Sequence, residues 1–294
     1  MLVFQLLANG LVTGCAYALV ALGFALIYNT THIFHIAHGA VYAVAAYLFY
    51  SFHVLWNVPL MVAAILTVAL SAGLGVLIDE LVHAPLDRRD SPMLIHLLSS
   101  LGLYIAAINA IALLFGSETK MLSSTDESTY SAVGVTLTQS QIIIVLVAAL
   151  LFTGLVILLR QTRLGQKLRA MRDDPELIAV MGHNPRLMRW SVFGLGSALA
   201  AAAAVLLGLD LGIDPRIGLT AVLNGAVAVI IGGIGLFESA ALGAMLLGLL
   251  QSVVVWQASA RWEEAVVFGV LILFLLFRPQ GILGTRRRAE EITA

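Results

Sequence analysis

Cysteine and charge are both scarce in this sequence. Only one of the 294 residues is a cysteine, Cys15, which excludes an intramolecular disulfide and leaves no metal-thiolate motif. Asp, Glu, Lys and Arg make up 11% of the chain, whereas 60% is hydrophobic and the mean hydropathy is +0.98. So few charged side chains cannot cover a soluble domain of this length. The composition predicts an all-α polytopic membrane protein, with residues 1–294 forming a single transmembrane domain.

Basic residues are missing from the first part of the chain, where no Lys or Arg precedes Arg88. A secretory signal peptide begins with a basic segment and ends in a small-residue cleavage pattern, and neither is present. We therefore expect the first apolar segment to stay in the membrane as a helix.

Ionisable residues are nearly absent from the interior of the apolar segments. Asp79, Glu80, Asp210, Asp214 and Glu238 all lie near segment ends. A charge at the bilayer centre costs about 2.5–3.5 kcal/mol on insertion scales, yet proton- and ion-coupled carriers keep a few such groups. Their scarcity argues against a carrier of that class.

Nine apolar stretches approach the roughly 20 residues that a helix needs to cross a bilayer. They lie at about 4–28, 33–52, 58–79, 93–115, 139–159, 190–209, 219–235, 238–257 and 264–278. The turn at 29–33 is very short, and only the glycine-rich GGIGLFES joins the seventh and eighth stretches. We therefore predict about 8–10 transmembrane helices, some of them full crossings and some broken or re-entrant.

The basic residues also predict an orientation. If the charged loop at 160–190 is cytoplasmic, thirteen Lys and Arg residues fall inside and three fall outside. This bias places the amino terminus outside and the carboxy terminus in the cytoplasm.

The charged loop holds seven of the sixteen Lys and Arg residues, between Arg160 and Trp190. In its first part Leu164, Leu168 and Met171 recur at helical spacing among basic residues. That pattern is typical of a helix lying on a membrane surface.

Two helix-start signals follow in the same loop. The run DPE at 174–176 combines an N-cap acid, proline at the first helical position and an acid in the first turn. Leu177, Val180 and Met181 then form a small apolar face. Gly182 ends the helix, and the pair NP at 184–185 starts the next one. The pattern predicts a short cytoplasmic helix over roughly 175–181 that docks into the groove of a partner.

Small residues recur in the first apolar segment at Gly10, Gly14, Ala18 and Ala21. This spacing predicts close helix packing in lipid.

Three histidines, His32, His35 and His38, follow at spacing i, i+3, i+6. They share one broad helical face, so a metal or haem site is one interpretation. Hydrogen bonding at a helix junction is the other, and we favour it because no HExxH motif or neighbouring cysteine is present.

Four stretches of the sequence carry a resemblance. They are GCAYALVALGFALIYNTTHIFHIAHGAVYAVAAY, RLGQKLRAMRDDPELIAVMGHNPRLMRWSVFGLGSALAAAAAVL, VIIGGIGLFESAALGAMLLGLLQ and FRPQGILG, in that order. Each motif alone is modest, but together they resemble the branched-chain amino-acid permease family over nearly the full length. Members of that family are the integral membrane subunits of bacterial ABC importers.

The resemblance implies a non-catalytic permease subunit that forms the translocation pathway for a small polar solute, without cofactor or bound metal. Its central loop is similar to the coupling loop that docks onto the ATPase. The positions matching that loop are Gly165, Asp174, Pro175, Glu176, Ala179, Gly182 and Asn184, to which the apolar face adds Leu177 and Val180. No G-x-x-x-x-G-K-[ST] motif occurs, so ATP hydrolysis is expected from partner subunits.

The resemblance also implies partners and a location. They are cytoplasmic ABC ATPase subunits, a second and related permease subunit in a heterodimer, an extracytoplasmic solute-binding protein and membrane lipid, with no nucleic acid. The location is the bacterial inner (plasma) membrane, crossed several times.

Two departures from the family leave the solute open. The segment usually reading Asn-Phe-Ala-His-Gly is His-Ile-Ala-His-Gly at 35–39, and Leu-Phe-Glu-Ser at 236–239 replaces the usual Gly-Ser continuation. Branched-chain or other amino acids are the first expectation, beside urea, short amides and small carboxylates. Candidates for lining the pathway, each with helix packing as an equal alternative, are Asn9, Tyr17, His38, Asn109 and Asn224.

Functions of other classes remain as alternatives. An ion-coupled secondary carrier or channel for urea or a short amide would need no ATPase. An intramembrane metalloenzyme would use His32, His35 and His38, and a structural scaffold would leave the doubly capped loop without a role.

Overall fold

The computed structural model describes residues 2–122, 128–132, 134–173, 178, 180–233, 235 and 237–284. An apolar helix occupies each of the nine predicted stretches, which confirms the all-α membrane architecture. These helices are α1 (Leu2–Thr31), α2 (Ala37–Tyr50), α3 (Leu60–Ile78), α5 (Met93–Phe115), α6 (Gln139–Gln161), α8 (Pro185–Leu211), α9 (Ile217–Gly232), α10 (Phe237–Gln257) and α11 (Glu263–Phe277). The short α4 (Ala84–Asp87) and the loop helix α7 (Arg163–Asp173) complete the described set.

Two helices continue into π-helical turns. Ser51–Leu55 follows α2, and Asp79–His83 joins α3 to α4, so that Leu60–Asp87 forms one continuous apolar rod. By length and hydropathy, six helices of the described chain can cross a membrane: this rod, α1, α5, α6, α8 and α10. The 16 residues of α9 rise about 24 Å, less than the roughly 30 Å of a hydrocarbon core.

Helix α1 is the centre of the molecule. It is buried almost throughout from Gly10 onward and packs against α10, α8, α9 and α6. A Cβ atom added at Gly10 would lie 2.8 Å from the Leu249 Cα, and one at Gly14 would lie 2.9 Å from the Met245 Cα. The predicted close packing is confirmed for Gly10 and Gly14, whose partner is α10, while Ala21 lies against Gly225 of α9.

The helices α9 and α10 form a tight antiparallel pair. Gly233 and Gly235 in the turn have φ values of 116° and 111°, which favour glycine. The carboxy-terminal FRPQGILG segment returns to this turn: the N–H groups of Ile282 and Leu283 donate to the final carbonyls of α9, at 2.9 and 3.0 Å. The segment thereby caps the helix.

A small hairpin lies between α5 and α6. Strands β1 (Thr129–Ala132) and β2 (Val135–Thr138) are antiparallel, with Thr129 opposite Thr138. Thr138 then caps α6, since its hydroxyl accepts from the Gln141 N–H at 3.2 Å and its own N–H donates to the Gln141 side chain.

Helix α7 corrects one prediction. Its apolar face lies on the protein and not on the membrane surface: Leu168 and Met171 are 0% and 4% exposed, in contact with the body formed by α6, α1 and α8. Gly165 permits this approach, since a side chain there would collide with the Leu158 and Leu159 carbonyls at the end of α6.

Candidate functional site

A cavity of about 510 Å³ opens at the end of the bundle where α1 begins. Residues of α1, α8, α9 and the turn between α8 and α9 form most of its wall, with Tyr42 of α2 and Gln141 of α6 completing it. Its size falls within the roughly 300–1,000 Å³ typical of small-ligand sites. The lining residues are Asn9, Val12, Thr13, Tyr17, Tyr42, Gln141, Leu207, Asp210, Leu211, Asp214, Arg216, Ile217, Thr220 and Ala221.

Both signs of charge are present in this cavity. Asp210 near the end of α8 accepts from the Ser140 hydroxyl at 3.0 Å, and Asp214 accepts from the backbone N–H of Arg216 at 2.8 Å. The Arg216 guanidinium is in no ion pair with any described residue. Acidic and basic groups therefore line one space, whose remaining wall combines five aliphatic residues with six polar or aromatic ones.

Backbone hydrogen bonds fix the turn that carries these charges. Lys120 and Ile213 exchange two bonds of 2.8 Å, which join the segment after α5 to the turn between α8 and α9. Gly212 has a φ of 79° at the end of α8, and Asp214 closes the next turn. The charged side chains thus belong to a turn whose backbone is held by hydrogen bonds.

A buried polar group lies below the cavity. The Tyr17 side chain lies beside the side-chain amides of Asn224 and Gln251. Both amide residues are 4% exposed and belong to α9 and α10. Because buried amides need partners, this group extends polar character from the cavity into the helix core.

The five candidate pathway residues are not all at this site. Asn9 and Tyr17 line the cavity, and Asn224 lies beside Tyr17. Asn109 is on an exposed face of α5, where its amide donates to the Ile105 carbonyl at 2.7 Å. His38 is fully buried elsewhere, with its ring against Phe24.

The sequence interpretation passed over most of the charged lining. Asp210 and Asp214 were placed only at segment ends, and Arg216 was only counted as one of the three basic residues outside. The available signal was their density, because DLGIDPR places three charges in the seven residues between two apolar helices. Thr13, Gln141 and Thr220 gave no comparable signal within their helices.

The opposite end of the bundle carries an ion-paired cluster at the base of α8. Arg186 pairs with Glu80, and the Trp190 indole donates to the same carboxylate at 2.9 Å. Arg189 pairs with both Asp79 and Asp87. This cluster fixes the first two turns of α8 to the end of the Leu60–Asp87 rod.

Four of the predicted coupling residues fall in the described part of the loop. Gly165 packs under α6, Val180 is 84% exposed, Gly182 has a φ of 80°, and the Asn184 side chain accepts from the Arg186 N–H at 3.0 Å. The Asn184 cap is confirmed. The others lie outside the described residues: Asp174, Pro175, Glu176, Leu177 and Ala179.

Arg172 links this loop to the helix core. Its Nη1 donates to the Gly235 carbonyl at 2.6 Å, and the Gly235 N–H donates to the Asn29 side chain at 3.2 Å. One turn residue therefore joins α7 to the end of α1.

Of the three histidines of the metalloenzyme alternative, His35 and His38 are in ring contact, with centroids 6.2 Å apart. His32 is exposed with its ring against Tyr28, whereas His35 is buried and bonded to His83. Among the described residues, no group of three or more His, Cys, Asp and Glu has a geometry suited to a metal ion.

Comparison with known proteins gives consistent matches. Residues 6–276 match the family model described as "Branched-chain amino acid transport system / permease component". The chain is 35% identical over 302 residues to the high-affinity branched-chain amino acid transport system permease protein BraD of Pseudomonas aeruginosa, covering 98% of this chain and 97% of BraD. It is 32% identical over 307 residues to the permease protein LivH of Escherichia coli K12, with coverage of 98% and 97%.

A solved structure has a similar fold. PsaBC from Streptococcus pneumoniae, in complex with Fab, matches with a TM-score of 0.53 at 14% identity, covering 99% of this chain and 96% of the other. At this identity the match concerns the fold alone.

Proposed function

This chain belongs to the branched-chain amino acid transport permease family and is a permease subunit of an ABC importer, and on that premise we propose that its cavity admits a zwitterionic aliphatic amino acid. The observation that carries the proposal is that Arg216, Asp210 and Asp214 line one cavity whose wall also includes five aliphatic residues. A guanidinium suits the solute carboxylate, a carboxylate suits its ammonium group, and aliphatic residues suit its side chain.

The solute would pass from the cavity toward the core along Tyr17. The hydroxyl and its amide neighbours Asn224 and Gln251 offer donors and acceptors where a polar solute leaves water. Asn9, Leu211 and Arg216 are exposed at the mouth, so a second, related permease can complete the wall in a heterodimer.

ATPase and solute-binding subunits are the partners that an ABC permease requires. The ATPase would dock on the loop that contains Val180, since this apolar side chain is exposed beside the ion-paired base of α8. The binding protein would deliver solute at the cavity end. This arrangement follows the predicted orientation, with the amino terminus outside and the carboxy terminus in the cytoplasm of a bacterial inner membrane.

The chain itself would be non-catalytic and would act as a single membrane domain. Helices from both halves of the sequence interleave, since α1 packs on α8, α9 and α10. ATP hydrolysis would tilt α8 through the loop and open the cavity toward the other side.

The test is uptake by the complete transporter in liposomes, with L-leucine, urea and acetate as competing solutes. We expect saturable, ATP-dependent uptake of L-leucine that the other two do not inhibit. Arg216→Gln should raise KM about tenfold or more, since a charge-assisted hydrogen bond to the carboxylate is lost.

Arg261→Gln is the matched control, because Arg261 is exposed beyond α10 and does not line the cavity. Uptake of urea in preference to leucine, or an unchanged KM in Arg216→Gln, would contradict the solute assignment. Uptake without ATP would favour the carrier alternative.

A further inference from the structure

Hydrogen bonds link three buried histidines in a chain, and the last of them lies at ion-pair distance from an aspartate. His35 Nδ1 lies 2.9 Å from His83 Nε2, and His83 Nδ1 lies 3.2 Å from His96 Nδ1. His96 Nε2 then lies 3.2 Å from an Asp87 oxygen. His35 and His83 are 0% exposed and His96 is 3% exposed, so the chain runs inside the protein.

With all three imidazoles neutral, the carboxylate sets the direction of the bonds in this chain. Asp87 is paired with Arg189 and accepts hydrogen bonds, so the facing His96 Nε2 carries a proton. Neutral His96 then has a bare Nδ1, which accepts from His83 Nδ1–H, and the bare His83 Nε2 accepts from His35 Nδ1–H. All three N–H groups point toward Asp87, and the remaining lone pair is on His35 Nε2.

Stability alone does not account for this arrangement. His35 Nε2 is buried and has no hydrogen-bond partner among the described residues, which is a net cost. Apolar side chains of similar volume would fill the same space without that cost. A directed polar chain in such a place instead specifies one relative position of the elements that it joins.

Those elements are distant in sequence. His35 lies between α1 and α2, His83 ends the π-helical turn after α3, and His96 is in the first turn of α5. At the other end, Asp87 meets Arg189, five residues after the Asn184 cap that ends the cytoplasmic loop. The chain therefore runs from the base of α8 to the junction of α1, the helix that lines the cavity.

Close packing makes this junction sensitive to α8. The His35 ring centroid lies 5.2 Å from that of Phe193 on α8. One turn further, a Cβ added at Gly196 would lie 2.8 Å from the Gly23 carbonyl of α1. A shift of α8 must therefore carry the α1–α2 junction with it or break the histidine chain.

We propose that His35, His83, His96 and Asp87 are positioning residues of transport, which set the α1–α2 junction according to the position of the α8 base. This role rests on the proposed coupling of the cytoplasmic loop to the ATPase. Losing one of its bonds separates ATP hydrolysis from solute movement while the subunits stay assembled.

The first test compares two substitutions of one residue in the complete transporter, reconstituted with L-leucine as the solute. His35→Leu removes the donor, whereas His35→Asn keeps an N–H group near the place of Nδ1. The readouts are L-leucine imported per ATP hydrolysed, and the stimulation of ATP hydrolysis by the binding protein. His32→Leu is the control, since His32 is exposed and outside the chain.

We expect His35→Leu to lower the amount of L-leucine imported per ATP about tenfold and to abolish stimulation of ATP hydrolysis by the binding protein. His35→Asn should keep the import ratio within about threefold of that of the unmodified transporter. His32→Leu should change neither value. An unchanged ratio in His35→Leu overturns the proposal. An equal loss in His35→Leu and His35→Asn, in parallel with ATP hydrolysis, also overturns it, because that result reports only lost folding.

If the transporter with His35→Leu does not assemble, a second pair of substitutions, at Asp87, tests the proposal instead. The Asp87 side chain is 37% exposed, so its substitutions disturb packing less. Asp87→Asn retains an oxygen that accepts from His96 and should keep ATP hydrolysis coupled to import. Asp87→Leu should lose this coupling. Equal coupling in the two variants overturns the proposal. The stimulation of ATP hydrolysis by the binding protein is compared between each variant and the unmodified complex. The comparison therefore tests the histidine chain even if the solute assignment is wrong.

Discussion

The side-chain amide of Gln5 pairs with the peptide groups of Thr136 through two hydrogen bonds. Its Nε2 donates to the Thr136 carbonyl at 2.9 Å, and its Oε1 accepts from the Thr136 N–H at 2.8 Å. The same Nε2 is 2.9 Å from the Asn9 side chain, at the cavity wall. The β-hairpin is thus fastened to the first turns of α1, beside the proposed site of solute arrival.

Gln5→Leu should release this hairpin. Loss of two hydrogen bonds, each contributing about 0.5–1.5 kcal/mol, should speed amide exchange of Thr136 by roughly 5- to 100-fold. Hydrogen–deuterium exchange of the hairpin peptide measures this change. Gln257→Leu at the end of α10 serves as the control and should leave the hairpin unaffected; equal exchange in Gln5→Leu would show that the bonds are not formed in solution.

Gly165→Ala should detach α7 from α6. The new Cβ would collide with the Leu158 and Leu159 carbonyls, which cannot move without opening the end of α6. We expect a loss of about 1–3 kcal/mol in stability, a lower Tm and weaker retention of the ATPase.

The matched control for this change is Gly154→Ala, also in a helix. Nothing lies within 4 Å of a Cβ at Gly154, so alanine should be neutral or raise Tm slightly. A scan of both variants by thermal unfolding tests the opposite signs, and equal Tm values would refute the close contact at Gly165.

The hydropathy pattern was sufficient to locate the helices, because a bilayer requires long apolar segments whatever their neighbours. It could not determine which surface a helix faces. The Leu168 and Met171 face of α7 has the pattern of a membrane-surface helix, yet it packs on protein because Gly165 lets the backbone approach.

The site was predicted less completely than the fold. Tyr17 and Asn224 were selected as polar residues inside apolar segments, and the structure brings them together. The histidine chain was not foreseen, because His83 and His96 meet His35 only through tertiary packing. Sequence spacing instead grouped His35 with His32, which is exposed.

Arg172→Leu should loosen the turn between α9 and α10. The guanidinium donates to the Gly235 carbonyl, and a hydrogen bond from a charged group contributes about 1.5–3 kcal/mol. We expect faster exchange of the Gly235 amide, which donates to Asn29, and weaker stimulation of ATP hydrolysis by solute. Arg163→Leu, at an exposed position of the same helix, should change neither value.

Val180→Asp tests the docking surface of the loop. Val180 is 84% exposed, so a charge there should not disturb the fold of this chain. It should, however, prevent burial of this side chain in an apolar groove, and we expect retention of the ATPase to fall about tenfold or more. Co-purification from detergent, with Tm of the permease measured in parallel, separates lost docking from lost folding.

Gln166→Asp provides the comparison, because it adds the same charge at an exposed position of α7. Equal loss of the ATPase in both variants would indicate a general effect of negative charge on the basic loop. Full retention and normal uptake in Val180→Asp would remove Val180 from the interface. Loss confined to Val180→Asp, at an unchanged Tm, would assign the contact to the apolar face of the loop and would extend it to Leu177, predicted to lie on the same face.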